Sequence, residues 1–214
     1  MKIVLDTQKL KEVITSFAEI TRTNICFFDA DMNVLAALPQ KMQPFCRRIR
    51  EAEGKLKLCL LSDETHRRQV KKLKKPVTYT CHAGLTETML PVIYDEEIIG
   101  YIIFGQYRGA GNEDASKAAL AAFCNKNALD HETLLAEYEK LPRLSPEQVK
   151  ASVAMMELCI KYLRVKAAEE LLIVSDKPVS EIAADVGYSD YNYFIKVFKK
   201  ATGVTPLKYR KQNS

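Results

Sequence analysis

Three thiols and one imidazole in the first half of the chain have the chemistry of soft-metal ligands. These side chains are Cys46, Cys59, Cys81 and His82. Together they would suffice for a tetrahedral zinc site or an iron–sulfur centre. However, the 12 and 21 residues between the cysteines are unlike a short Cys-x2-Cys chelate, and adjacent Cys81 and His82 would point to opposite faces of a strand. Three interpretations stay open: core or pocket lining without metal, a metal or cluster site, and a redox-sensing thiol.

The same region could form the wall of a small-ligand cavity. Aromatic rings and thiols supply apolar surface, while an imidazole and an amide supply donors and acceptors, which is the ordinary makeup of such cavities. The residues predicted to line it are Cys46, Cys59, Tyr79, Cys81, His82, Tyr101, Phe104 and Gln106. For any single one of them, a place in an ordinary hydrophobic core is an equally good interpretation.

Catalysis is not expected from this sequence. Ser62, with His66 or His82 as its base, is a notional nucleophile, but no Gly-x-Ser-x-Gly elbow surrounds it. The sequence also contains no Walker loop and no Gly-x-Gly-x-x-Gly fingerprint. We therefore expect a binding protein rather than an enzyme, with no catalytic residues.

Residues 178 to 200 have the spacing of two short helices joined by a tight turn. Ser180 is placed to cap the first helix, and Gly187 supplies the backbone freedom that the turn needs. Ser189 or Asp190 can cap the second helix. Such a pair can lay its second helix in the major groove of DNA.

The second helix of this pair has one apolar face and one polar face. Phe194, Val197 and Phe198 recur at i, i+3 and i+4 and predict a buried stripe. Residues 191–214 contain six Lys or Arg residues and no Asp or Glu, which favours contact with phosphate. The predicted DNA contacts are Tyr191, Asn192, Ile195 and Lys196 at the bases, and Ser189, Lys199, Lys200, Lys208 and Arg210 at the phosphates.

This segment resembles the second helix-turn-helix of AraC-type transcription regulators. The matching residues are Arg164-x3-Ala168-x2-Leu171-Leu172, Val179-Ser-Glu-Ile-Ala, Val186-Gly-Tyr-Ser-Asp, Tyr193-Phe194, Val197-Phe198-Lys199-Lys200, Gly203 and Thr205-Pro206-x2-Tyr209-Arg210. That family normally carries two such units joined by a long helix, whereas no first unit is found upstream here. The resemblance implies a DNA-binding regulator with one helix-turn-helix per chain.

Residues 40 to 108 are similar to the PocR sensory domain. The matching residues are Phe45-Cys46, Cys59-Leu60-x-Ser62-Asp63, Tyr79-x-Cys81-His82-Ala-Gly84-Leu85-x-Glu87, Pro91 and Gly100-Tyr-Ile-Ile-Phe-Gly105-Gln106. That family has a PAS-like fold, is associated with detection of small hydrocarbon derivatives such as diols, and often precedes AraC-type helix-turn-helix units. The resemblance implies a small-molecule sensor over residues 1 to about 145.

Periodicity predicts the elements that position these residues. The predicted helices cover residues 7–20, a short piece from 44, 55–73, 114–139 in two pieces, and 147–176. The predicted strands cover 25–28, 34–38, 77–81, 86–94 and 98–107, the last two joined by a turn at 95–97. The expected fold class is α+β: a PAS-like, mixed or antiparallel sheet with helices, joined by a long helix to an all-α helix-turn-helix domain.

Three segments follow from this order of elements. They are a sensor at 1–145, a connecting or dimerisation helix at 146–163, and a DNA-binding domain at 164–214. The apolar side of the long helix either pairs with a second chain or packs on its own sensor, and both alternatives stay open. Because one helix-turn-helix makes few base contacts, we expect a homodimer.

Composition limits the compartment and the partners. Apolar residues make up 47% and charged residues 28%, and no run approaches the roughly 18 apolar residues of a membrane span. We expect a cytoplasmic protein whose six cysteines are thiols or ligands, with duplex DNA and a small-molecule effector as partners and no membrane. The cofactor is unknown, with a metal or iron–sulfur centre as one option. The rival class is a protein-interaction adaptor whose C-terminal cations meet an acidic partner.

Overall fold

The computed structural model describes residues 7–39, 41–94, 97–109 and 113–213. In these ranges, helices and strands are mixed up to residue 144, and only helices follow. The helices there are α1 (Thr7–Thr21), α2 (Pro44–Glu51), α3 (Leu56–Leu73), α4 (Glu113–Asn127), α5 (His131–Glu139), α6 (Pro146–Val174), α7 (Val179–Asp185), α8 (Tyr191–Thr202) and α9 (Pro206–Asn213). The strands are β1 (Asn24–Asp29), β2 (Val34–Leu38), β3 (Val77–Thr80), β4 (Thr86–Tyr94), β5 (Glu97–Gly109) and β6 (Arg143–Leu144). The α+β class and the order of elements expected from periodicity are confirmed. The predicted turn at 95–97 lies partly outside the described residues.

The strands form a sheet in the order β2-β1-β5-β4-β3, and β6 pairs in parallel with the end of β5. β1 pairs antiparallel with both β2 and β5, and β3 pairs antiparallel with β4. In the last of these pairs Tyr79 lies opposite Glu87. Because opposite residues of an antiparallel pair project from the same face, the phenol and the carboxyl are neighbours on that face.

Within the described ranges, apolar clusters bury the inner faces of several helices. One is formed by α2, α4, α5 and the turn after β3, with Phe45, Leu120 and Tyr138 among its buried members. Another holds together α6, α7 and α8, with Phe194 and Phe198 fully buried in it. In α1, Ile14 and Phe17 are buried as the apolar spacing predicts. Ile20, one turn further on, is 74% exposed, so the buried stripe ends before the helix does.

Contacts divide the chain into two compact units. One holds Ile14–Pro91 and Gly100–Val153; the other holds Ala154–Ser214 together with Val92–Ile99 and the start of α1. The division falls inside α6, within the connecting segment predicted at 146–163. The adjoining ends of β4 and β5 belong to the unit that contains α7 and α8, which the sequence did not predict. None of the helices in the described ranges is long and apolar enough to cross a bilayer.

Candidate binding cavities and nucleic-acid interface

An inner cavity of about 20 Å³ lies where α2, α3, β4 and the turn after β3 meet. This volume holds about one water-sized group. The four side chains predicted as metal ligands or as cavity lining are all brought to it: Cys46, Cys59, Cys81 and His82. The Sγ of Cys59 lies 3.8 Å from Nε2 of His82, whose ring meets Phe123 edge-on at 5.1 Å.

Cys81 and His82 reach the same cavity because β3 ends at Thr80, so neither residue lies within a strand. They begin a tight turn in which the Cys81 N–H donates to the Leu85 carbonyl at 2.7 Å. Gly84 in this turn has a φ of 85°, a conformation that favours glycine. The opposite orientation expected for two neighbours in a strand therefore does not apply here.

Burial keeps the cavity thiols protonated. It raises the pKa of Cys46 well above its ordinary value, raises that of Cys81 to about 12, and raises that of Cys59 despite the nearby Arg50. Burial, with the charge of Arg50, lowers the pKa of His82 and keeps the imidazole neutral. The described residues contain no group of three or more His, Cys, Asp or Glu side chains arranged to hold a metal ion.

Two carboxyl groups and a guanidinium also line the inner cavity: Asp63 from α3, Glu87 from β4 and Arg50 from α2. Burial raises the pKa of Asp63. Burial and the neighbouring Asp63 raise the pKa of Glu87 to about 7. None of these three residues was assigned to the site from the sequence. Asp63 and Glu87 belong to the residues that match the PocR sensory domain, and this match could have pointed to them. Arg50 is outside the matching residues, and nothing in the sequence distinguishes it from the other cations.

A larger outer cavity of about 460 Å³ adjoins the inner one, because Arg50 and Asp63 line both. Gln106, predicted to line a cavity, lies here, and its Oε1 accepts a hydrogen bond from Nδ2 of Asn24 at 2.7 Å. Gln106 has a φ of 61°, a strained conformation for this residue type and one that is concentrated at functional sites. The remaining walls are mainly apolar side chains from β1, β2 and α3.

Three side chains predicted to line a cavity lie instead among core contacts. Phe104 is fully buried and packs edge-on against Phe17 at 5.1 Å, and Tyr101 is 2% exposed. Tyr79 is buried with its ring stacked on His66 at 3.7 Å, and it adjoins the site as the cross-strand neighbour of Glu87. Tyr101 and Phe104 do not line either of these two cavities, because their rings fill the space between sheet and helices.

The helix-turn-helix is formed by α7, the turn at Gly187 and α8. Gly187 has a φ of 93°, as the turn requires, and the Tyr188 N–H donates to the Ala183 carbonyl at 2.9 Å. Asp190 caps α8, since its Oδ1 accepts from the Tyr193 N–H at 3.0 Å. The cap predicted at Ser180 is wrong: α7 begins one residue earlier, after Pro178, and makes no side-chain cap bond.

The predicted DNA contacts on α8 lie mostly on its exposed side. Phe194, Val197 and Phe198 are buried as expected. The exposed residues are Ser189, Tyr191, Asn192, Lys196, Lys199, Lys200 and Lys208. Lys199 and Lys200 lie in the last turn of α8, where cations also complement the helix dipole.

Two predicted DNA contacts have further partners inside the fold. Ile195 is half-buried and packs against the cluster that contains Phe198. Arg210 donates from Nε to the Leu172 carbonyl at 3.2 Å and from Nη2 to the Lys177 carbonyl at 2.6 Å. Because these bonds tie α9 to the end of α6, Arg210 supports the fold, and its phosphate contact stays a prediction.

Comparison with known families places both parts of the chain. Residues 4–168 match the family described as a sensory domain found in PocR. Residues 156–212 match a helix-turn-helix domain family. The first match covers more than half of the chain.

Individual proteins are similar to one part or to the whole. The regulatory protein PocR of Salmonella typhimurium is 21% identical over 288 aligned positions, covering 97% of this chain and 95% of its own. Because this chain has 214 residues, that relative has stretches without a counterpart here. The transcriptional activator RhaR of Cronobacter sakazakii is 47% identical over 53 residues, 25% of this chain and 19% of its own length. Among solved structures, the C-terminal domain of AraT, a response regulator from Geobacillus stearothermophilus, aligns with 43% of this chain and 68% of its own at 27% identity, with a TM-score of 0.27.

Proposed function

The chain belongs to the PocR sensory-domain family and is a DNA-binding regulator of the AraC type, and we propose that a small polar organic molecule bound in the two cavities controls its binding to DNA. The inner and outer cavities, which share Arg50 and Asp63, form one effector site in this proposal. The C-terminal helix-turn-helix supplies the contact with the promoter.

Unpartnered polar atoms carry the proposal of an effector. In the described part of the chain, Arg50 Nε, His82 Nδ1 and Asn24 Oδ1 are buried without a hydrogen-bond partner, and all three residues line one of the cavities. Because a buried polar group without a partner costs about 1–3 kcal/mol, such atoms gathered at a cavity favour a ligand that satisfies them.

The geometry favours a hydroxylated molecule of a few carbons. Asp63 and Glu87 offer acceptors, Arg50 offers a donor, and the inner cavity holds only one small group. The outer cavity, with apolar walls, can take the remaining carbon chain. A diol or a similar hydrocarbon derivative has this combination of one or two hydroxyls and a short apolar body.

The DNA contact in this proposal uses the exposed side of α8. Asn192 can bind adenine through two hydrogen bonds, with Tyr191 and Lys196 beside it. Lys199 and Lys208 then lie outside the groove and contact phosphates. A single unit of this size supplies few base contacts, so the proposal includes a second copy of the chain.

The second copy is proposed to pair along α6. Leu158 and Tyr162 are 66% and 55% exposed and lie four residues apart, as coiled-coil seam positions do. Pairing there would give two DNA-reading units whose effective concentration raises affinity without new base contacts. The compartment proposed for such a regulator is the cytoplasm.

A metal- or redox-sensing regulator is the second candidate, because Cys46, Cys59, Cys81 and His82 do meet at the inner cavity. The raised pKa of each of these three thiols opposes this candidate, since thiolates are the metal ligands and the nucleophiles. Metal analysis of the purified protein, with melting before and after chelation, separates the two candidates. An adaptor without DNA binding is the third candidate, and salt-sensitive binding to duplex DNA excludes it.

A thermal-shift screen tests the effector proposal. Wild-type protein is melted with small diols, monoalcohols and short carboxylic acids, and each hit is carried into DNA-binding assays. We expect a diol-class hit whose stabilisation is lost in Arg50→Met and kept in Arg47→Met, an exposed arginine on the same helix. Equal stabilisation of both variants would contradict the placement of the effector, and a hit that leaves DNA affinity unchanged would contradict control by the effector.

A further inference from the structure

Arg164 on α6 joins the end of β4 to the turn of the helix-turn-helix. Its Nη2 donates a hydrogen bond to the backbone carbonyl of Ile93, near the end of β4. Its guanidinium carbon lies 6.0 Å from the centre of the Tyr188 ring. Both partners belong to the same compact unit as Arg164 itself.

Tyr188 in turn sets where α8 begins. It lies in the turn after α7, three residues before Tyr191, the first residue of α8. Its ring is 7% exposed and packs at 5.3 Å from that of Phe194. Because this ring neighbours both the guanidinium of Arg164 and Phe194 in the core of α8, a displacement of the guanidinium changes the packing that supports α8.

The strand that supplies the Ile93 carbonyl also carries Glu87, at the proposed effector site. Ile93 lies six positions after Glu87 along β4, which corresponds to about 20 Å of extended chain. β4 is hydrogen-bonded to β5, and to β3 over residues 86–89. An extended strand changes its length little, so a shift of Glu87 along the strand direction moves the carbonyl as well. The strand thus forms a continuous connection between the effector site and Arg164.

We propose that Arg164 is a positioning residue that couples β4 to α8, so that the state of the effector site changes the placement of the DNA-contacting helix. The proposal rests on the proposed function and adds the residue through which control passes. A guanidinium suits this role because its planar fork can donate to a carbonyl while its face or edge meets an aromatic ring. For such coupling, Arg164 must interact more favourably with one position of β4 than with another.

Hydrogen exchange on the full chain tests the coupling without a known effector. Coupling is reciprocal, so DNA bound at α8 must change how often the backbone hydrogen bonds of β4 open. With a random-sequence duplex of 30 base pairs at low salt, we expect slower exchange in peptides of residues 191–202 and also of residues 86–94. In Arg164→Met, DNA should still slow the exchange of residues 191–202. Its effect on residues 86–94 should fall about fivefold or more, which is the lower end of the factors by which coupled sites usually change each other's affinity.

Matched variants separate coupling from folding. Lys161→Met removes another α6 cation, one that lies 6.0 Å from the centre of the Tyr193 ring, and should behave as wild type. If Arg164→Met does not fold, Tyr188→Leu serves instead, because it removes the aromatic face and keeps the Ile93 bond. The proposal would be overturned if DNA slowed the exchange of residues 86–94 in Arg164→Met, or in Tyr188→Leu, as much as it does in wild type. Protection of α8 without any response in wild-type β4 would overturn it too, whereas no protection of α8 in wild type would contradict the DNA-binding function itself.

Discussion

Gly105 on β5 lies against Glu87 on β4 so closely that a Cβ at the glycine would be 2.5 Å from the Cγ of Glu87 and 3.0 Å from its Cα. Real Cβ atoms essentially never approach other atoms so closely, so this position requires glycine. The absence of a side chain at Gly105 thus holds the carboxyl of Glu87 at the inner cavity.

Gly105→Ala should displace β4 locally and weaken effector binding, with a loss of stability of about 1–3 kcal/mol from overpacking. Urea denaturation measures the loss. The effect of Gly105→Ala should shrink in a Glu87→Gly background, where the Cβ and Cγ that clash are absent. An equal loss in both backgrounds would show that the clash lies elsewhere.

Glu87→Gln should remove a pH-dependent destabilisation. The pKa of Glu87 is raised from 4.5 to about 7, so between these values the folded carboxyl keeps a proton that the unfolded chain has lost. The free energy of unfolding therefore falls as pH rises through this window, by up to about 3 kcal/mol above pH 7. Relative to wild type, the Tm of Glu87→Gln should rise by several degrees between pH 5 and pH 8.

Glu157→Gln, an exposed position on α6, is the control for this measurement and should follow wild type across the range. If the difference in Tm between Glu87→Gln and wild type is the same at pH 5 and pH 8, the carboxyl of Glu87 does not titrate as described.

Asp190→Ala should destabilise the start of α8. Its Oδ1 accepts from the Tyr193 N–H, and loss of such a cap costs about 1 kcal/mol. DNA affinity should fall with it, because α8 carries the predicted base contacts. Ser189→Ala, one residue earlier and exposed, should leave stability unchanged in the same denaturation assay. Equal stability of the two variants would argue against the cap.

Asn192→Ala and Lys199→Ala should weaken DNA binding in different ways. Asn192→Ala should lose sequence preference, about 1–3 kcal/mol at one base pair, with an unchanged salt dependence. Lys199→Ala should weaken binding to all duplexes alike and reduce the slope of log affinity against log salt by about 1. Fluorescence anisotropy over a salt series measures both quantities. A wild-type slope in Lys199→Ala would remove that residue from the phosphate contacts.

Charge on the outer side of α6 should separate the proposed dimer. Leu158→Glu combined with Tyr162→Glu places carboxylates at the two exposed apolar positions, which a paired helix cannot bury without a large cost. Sedimentation velocity should show a dimer for wild type and a monomer for this variant, with weaker DNA binding. Glu157→Gln, next to the seam, should remain dimeric. A monomeric wild type at the concentration of the DNA assay would contradict the dimer.

Much of the fold could be predicted because the local signals agree with the final packing. The turn at Gly187 and the apolar spacing around Phe194 depend on neighbours in sequence and were identified there. Asp190, the cap of α8, was one of two candidates beside Ser189. Ser180 was misassigned because Pro178 already supplies an extended entry to α7, so the helix starts before the serine. Helix ends shift by a residue or two for such local reasons.

The effector site was predicted less completely because it depends on partners distant in sequence. Cys46, Cys59, Cys81 and His82 were identified by residue type, but Arg50 and Asp63 became part of the site only when α2 and α3 packed beside β4. Phe104 and Tyr101 carry the same chemistry as a cavity wall and lie in the core. Strand alternation cannot decide between these places, since both belong to the interior.

Selection of DNA sequences from a random duplex pool by the purified full chain is the decisive measurement of sequence-specific binding. We expect enrichment of a sequence motif, strengthened or weakened by a diol-class effector, and its loss in Asn192→Ala while overall retention at low salt remains. Recovery of no motif in any effector state, with binding no better than to random duplex, would contradict the claim that this chain is an effector-controlled, sequence-specific regulator.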